Sequence, residues 1–136
     1  MTWDSATDDS LPLGFGLTSS THEPETVLVA EEDDELREEI VAELSGRGLR
    51  VIEVEDGLEL EDYLVASQVP GTQLYRPSLL VLDAQMPGVS GLDIVRHLRD
   101  SGQLTPFILI TGPGDSEAFE EAELLGAEYV VEKPFD

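Results

Sequence analysis

Apolar positions change their spacing repeatedly along this chain. Thr26–Ala30 (TVLVA) is a short, nearly continuous apolar run, the pattern of a strand covered on both faces. Asp33 and Asp34 can cap a following helix whose stripe is Leu36, Ile40, Val41 and Leu44, ending near Gly46 and Gly48. Arg50–Val54 (RVIEV) reads as a second strand, and Gly57–Val69 as a weaker helix bounded by Pro70-Gly71. Ser78–Asp83 (SLLVLD) is a third strand and the most apolar. Leu92, Val95 and Leu98 share one helix face. Pro106–Ile110 (PFILI) is a fourth strand, Ser116–Leu125 a helix, and Glu128–Val131 (EYVV) a fifth strand. The alternation βαβαβαβαβ predicts an α/β fold with a doubly wound, five-stranded parallel sheet. Right-handed crossovers place helices on both faces. In such sheets the functional crevice lies beyond the carboxyl ends of the strands, at the switch point of the winding.

Residues 1–25 break this rhythm. They are rich in Ser, Thr, Asp and Gly and read as an acidic, flexible tail ahead of a domain over 26–136. Within the tail, Leu11, Leu13, Phe15 and Leu17 would fall on one side of an extended strand. That segment reads either as scattered apolar residues or as one that docks on a surface.

Composition narrows the function classes. The chain holds 136 residues, enough for one domain and little room for two. Thirty acids oppose seven bases, a net charge of −23. This balance repels nucleic acid and anionic membranes and welcomes a metal ion or a basic partner. Solubility and adaptation to salt are the blander explanations of the same balance. Cysteine is absent, which removes disulfides, thiol chemistry and Cys-based zinc sites. No apolar run has membrane-spanning length, and the start lacks the basic residues of a secretory signal. A cytoplasmic location is expected. Lys133 is the single lysine of the sequence.

The strand ends carry the chemistry. Strand one ends in Glu31-Glu32-Asp33, strand three in Asp83 and strand four in Thr111, and Lys133-Pro134-Phe135 follows strand five. Singly, each residue has a plain role as helix cap, turn residue or surface charge. With strand one central, flanked by two and three, they converge into two or three carboxylates, a hydroxyl and an ammonium. Clustered carboxylates repel and call for a cation. Mg²⁺ takes oxygen ligands and would also neutralise the oxygens of an incoming phosphoryl group. Asp83 is then the candidate nucleophile, forming an acyl phosphate. Lys133 would supply a fixed positive charge and Thr111 a neutral donor to a phosphoryl oxygen. No Gly-rich phosphate loop follows strand one, which opposes a nucleotide or flavin site. His22 and His97 have no convincing partner.

Four segments resemble the receiver domain of two-component response regulators: VLVAEEDDELR (27–37), LLVLDAQMPGVSGLDIVRHLR (79–99), ILITG (108–112) and GAEYVVEKPF (126–135). The resemblance covers about Thr26 to Asp136 and implies a flavodoxin-like strand order 2-1-3-4-5. It implies that Asp83 is the phosphorylation site and that Glu31 and Glu32 organise Mg²⁺ together with Asp83 and the backbone carbonyl of Gln85. It makes Thr111 the switch hydroxyl, Lys133 the phosphate-contacting lysine and Lys133–Pro134 a candidate cis bond. Expected partners are a histidine kinase or phosphotransfer protein, a downstream protein and a second copy of the chain. The domain is expected to act as a phosphoacceptor, catalysing at most its own phosphotransfer and dephosphorylation.

Several positions depart from the family pattern. Glu32 stands where the direct metal ligand is usually Asp. Val130 stands where the switch aromatic is usual, and the neighbouring Tyr129 points the other way along a strand. Gln73, Leu74 and Tyr75 lengthen the connection after the second helix. The family's last helix has no counterpart before Asp136; either the chain is a trimmed piece, or the sheet face beside the first helix is expected to need cover, from Leu11–Leu17 or from another chain. These departures support an alternative: a receiver-like interaction module that works without phosphorylation.

Overall fold

The computed structural model describes residues 24–134. Five strands, β1 (Thr26–Ala30), β2 (Arg50–Val54), β3 (Leu79–Asp83), β4 (Phe107–Thr111) and β5 (Tyr129–Glu132), alternate with four helices. These are α1 (Asp34–Gly46), α2 (Gly57–Ala66), α3 (Gly91–Asp100) and α4 (Ser116–Leu124). All strand pairs are parallel, in the order β2-β1-β3-β4-β5. This is the doubly wound, flavodoxin-like sheet with strand order 2-1-3-4-5, and among the described residues no fifth helix follows β5. The expected N-terminal tail with an apolar segment at 11–17 lies outside the described residues.

The strand period of two sorts the core into two clusters. Leu28, Leu80, Leu82, Phe107 and Leu109 face α2, α3 and α4, where Leu60, Val95 and Ala122 are also fully buried. On the opposite face, Val27, Val29, Val81 and Ile110 form a smaller cluster, against which Ile40 and Leu44 of α1 pack. The α1 stripe is only half-buried. Its one buried residue is Arg37, which the apolar pattern did not anticipate.

Element ends shift by a few residues, for local reasons. Pro106 has no N–H to donate and stays outside β4, while its carbonyl accepts from Leu80 N at 3.0 Å. Helix α2 stops at Ala66 rather than Val69, because Gln68 and Val69 bond three residues back and close the helix with tight turns. The lengthened connection is strapped down. Tyr63 Oη donates to the Tyr75 carbonyl at 2.8 Å, and the Arg50 guanidinium lies 3.6 Å from the centre of the Tyr75 ring.

Candidate functional site

Strands β1 and β3 are neighbours at the centre of the sheet, so the residues just past their ends stand side by side. Glu31 and Asp83 are in phase with Val29 and Val81 and emerge from the α1 face. Asp83 is 4% exposed and Glu31 is fully buried. Each Asp83 oxygen has a donor: Oδ1 accepts from Gln85 N at 2.8 Å and Oδ2 from Lys133 Nζ at 2.8 Å. The same ammonium lies 3.3 Å from both Glu31 oxygens and donates to Oε2. Glu31 Oε2 also accepts from Asp33 N at 3.0 Å, whereas Oε1 is buried with no hydrogen-bond partner.

Electrostatics follow from this packing. Burial raises the Glu31 carboxyl to about 7, helped by its hydrogen bond with Asp83 and the charge of that neighbour. The Asp33 amide and the Lys133 charge offset only part of the rise. For Lys133, burial alone would lower the ammonium. The hydrogen bond and charge of Asp83, with Glu31 behind it, outweigh burial and hold it above its ordinary value.

Local sequence places these groups. Asp33 caps α1, accepting from Glu35 N and Leu36 N, which fixes where the chain turns after Glu31. Arg37 donates to the Glu31 carbonyl at 2.7 Å while also bonding Asp34 at 2.5 Å and Glu53 at 3.2 Å. It thus braces the loop between β1 and α1. The sequence signal for it was the i, i+3 pairing with Asp34, but its anchoring of the loop depends on tertiary contacts. Behind Asp83, Gly91 opens α3. A Cβ there would lie 2.8 Å from the Asp83 carbonyl oxygen, so the helix approaches the acid only because residue 91 has no side chain. Gly57 plays the same part for α2: a Cβ there would stand 1.9 Å from the Val89 carbonyl oxygen. Lys133 N donates to the Thr111 carbonyl at 2.8 Å, which ties the residue after β5 to the end of β4. The Lys133–Pro134 peptide is cis.

The side chains of four residues named from the sequence make no hydrogen bond to this cluster. The Glu32 side chain is exposed. Thr111 is buried, with its hydroxyl donating to the Gly112 carbonyl at 2.8 Å. Val130 packs against the three-helix core, while Tyr129 is 70% exposed on the other side of β5. Thr111, Phe119, Val130 and Glu132 border a cavity of about 350 Å³ on the α4 side, to which position 130 contributes a valine. Among the described residues no three Asp, Glu, His or Cys side chains stand together as a ready metal site.

Comparison with known proteins turns this geometry into an assignment. Residues 27–136 match the response regulator receiver domain family. The chain belongs to that family. The transcriptional regulatory protein FixJ of Azorhizobium caulinodans is 36% identical over 110 residues, 81% of this chain and 48% of that protein. The response regulator protein PmrA of Pseudomonas aeruginosa is 41% identical over 111 residues, 81% of this chain and 46% of that protein. This chain therefore spans about half the length of these curated relatives. A response regulator receiver protein from Pseudomonas putida superposes with a TM-score of 0.71 at 26% identity, covering 85% of this chain and 91% of that one. The chemotaxis protein CheY4 of Vibrio cholerae gives 0.67 at 25%, covering 83% and 89%. A receiver domain is a signalling domain of two-component systems. No helix among the described residues is long and apolar enough to cross a membrane.

The donors present fit a small, hard divalent cation. Glu31 Oε1 is a buried carboxylate oxygen that accepts no hydrogen bond, beside the Asp83 carboxylate, and all-oxygen ligands are what Mg²⁺ takes.

Proposed function

We propose that this receiver domain accepts a phosphoryl group on Asp83 and signals through protein contacts. The observation that carries the reading is the buried Asp83 carboxylate, gripped at one oxygen by Lys133 Nζ and at the other by the Gln85 amide. In the transfer, an Asp83 oxygen forms a bond to phosphorus as the bond from phosphorus to the donor's leaving group breaks, and that group departs with its electron pair. The Lys133 ammonium is positioned to follow the negative charge from the carboxylate to the phosphoryl oxygens, and Thr111 to turn its hydroxyl from Gly112 toward them. Glu31, Asp83 and the Gln85 carbonyl would hold Mg²⁺, with Glu32 recruited from its exposed position. The ion would neutralise charge on the phosphoryl oxygens. The donor is a histidine kinase or phosphotransfer protein. The recipient of the signal is another protein in the cytoplasm or a second copy of the chain, not nucleic acid or membrane, since the net charge of −23 opposes both.

The exposed Glu32 and the valine at 130 favour a second reading, a receiver that binds partners without phosphorylation. Intact mass after incubation with acetyl phosphate separates the two. A Mg²⁺-dependent gain of one phosphoryl group, lost in Asp83→Asn, is expected. A folded protein that gains none at saturating donor gives the site to the second reading.

A further inference from the structure

One base of this chain has no partner. Among the described residues, every other Lys and Arg side chain makes a hydrogen bond, ion pair or ring contact, whereas that of Arg76 makes none. Acids outnumber bases thirty to seven, yet no carboxylate of the described residues reaches it. Its backbone is pinned from both sides: Tyr63 Oη donates to the Tyr75 carbonyl at 2.8 Å, and Ser78 N to the Thr26 carbonyl at 2.8 Å. The lengthened connection after α2 thus presents an exposed Arg76 on a fixed support.

Arg76 and the exposed Leu104 border a groove of about 220 Å³. A second groove, of about 240 Å³, continues it between α2 and α3 to Glu61 and the exposed Val65. The two share the buried Leu64 and Leu98 as an apolar floor. Gln68 and Gln103 also border both, and Gln68 Nε2 donates to Gln103 Oε1 at 3.1 Å, so a carboxamide pair sits where the grooves meet. Glu61, like Arg76, makes no side-chain hydrogen bond or ion pair among the described residues.

We infer that this furrow docks a short segment of a partner protein, which brings a base to Glu61, an apolar side chain to Leu64 and Leu98, and a carboxylate to Arg76. An arginine beside an apolar pocket is the make-up of an interface hot spot. The carboxamide pair has donors and acceptors left over for the backbone of the segment. Charge selects the occupant: the field of a chain of net charge −23 favours a segment that carries a base over a wholly acidic one, and over a second, equally acidic copy. None of these residues belongs to the cluster around Asp83, so the inference does not depend on chemistry there.

The test is a charge swap read by selection. A phage-displayed library of random peptides is selected on the wild-type chain, on Arg76→Glu and on Glu61→Lys. Neither side chain has an internal bond, so both variants keep the fold, which circular dichroism verifies. The wild-type chain is expected to enrich peptides with a base and an acid on either side of an apolar residue. Arg76→Glu is expected to exchange the acid for a base, and Glu61→Lys the base for an acid. A synthetic peptide of the wild-type consensus should bind Arg76→Glu at least about tenfold more weakly than wild type. No enrichment over a blank surface, the same peptides from all three chains, or equal affinity for Arg76→Glu overturns the inference. Wild-type dimers in light scattering that Arg76→Glu dissociates would give the furrow to a second copy and also overturn it.

Discussion

The face of the sheet under α2, α3 and α4 and the face under α1 are built for different ends. The three-helix face is apolar through its middle, with Leu80, Leu82, Phe107 and Leu109 fully buried, and carries Thr111 and Glu132 at its upper end. The α1 face begins in the same way, with Val27, Val29 and Val81, but the next residues in phase on β1 and β3 are Glu31 and Asp83. One alternation thus supplies packing below and charge above. The charged end is held by Lys133, by the Asp33 and Gln85 amides and by the brace of Arg37. The larger apolar cluster lies on one face and the buried charged cluster at the end of the other, so substitutions on the two should separate in what they damage.

The largest effect is expected on the three-helix face. Phe107→Ala should cost about 3–5 kcal/mol in urea unfolding, a large share of a small domain's stability. Whatever fraction stays folded should keep its phosphorylation rate. If that rate falls first, the division between the faces fails. Gly91→Ala bridges the two, because its methyl would press on the Asp83 carbonyl. A loss of about 1–3 kcal/mol is expected from overpacking, this time with slower phosphorylation of the folded protein. An unchanged rate would mean that α3 yields without moving the acid.

On the α1 face the expected signature is pH dependence. The Glu31 carboxyl is raised in the folded protein to about 7 from 4.5. The folded state therefore holds the proton more tightly than the unfolded chain does. The stability this contributes is fully present below about 4.5 and is lost as pH rises through about 7. With a chelator present, the loss should be on the order of 2 kcal/mol between pH 5 and 8. Glu31→Gln should flatten that part of the profile; an identical slope in wild type and variant would refute the assignment. The smallest effect is expected from Arg37→Met, which keeps the stem and loses the bonds to the Glu31 carbonyl, Asp34 and Glu53. Two of those partners are exposed and can turn to water, so about 1–1.5 kcal/mol is expected, with slower phosphorylation if the brace positions the loop.

Much of this was legible in the sequence, for stated physical reasons. Runs such as TVLVA and SLLVLD admit few readings other than buried parallel strands, and the alternation with helices fixes the sheet type. The acids and the lysine at the strand ends announced themselves by position, and the structure brings Glu31, Asp83 and Lys133 within hydrogen-bond reach. What escaped depends on direction rather than identity. Adjacent acids at a strand end take opposite sides, so Glu31 is buried while Glu32 is exposed. The local sequence does not reveal the role of Arg37, because its partner Glu53 is sixteen residues away. Gly91 stood inside a recognised motif, but its cause, the Asp83 carbonyl, becomes visible only when α3 is docked.

The most direct test of the account is to locate the phosphoryl group. After phosphorylation by acetyl phosphate with Mg²⁺, borohydride reduces an acyl phosphate to an alcohol, and peptide mass mapping finds the converted side chain. Homoserine at position 83, with Glu31 and Glu32 unmodified, is the predicted result. Conversion at Glu31 or Glu32 with Asp83 intact, or no conversion in a folded protein at saturating donor, would contradict it.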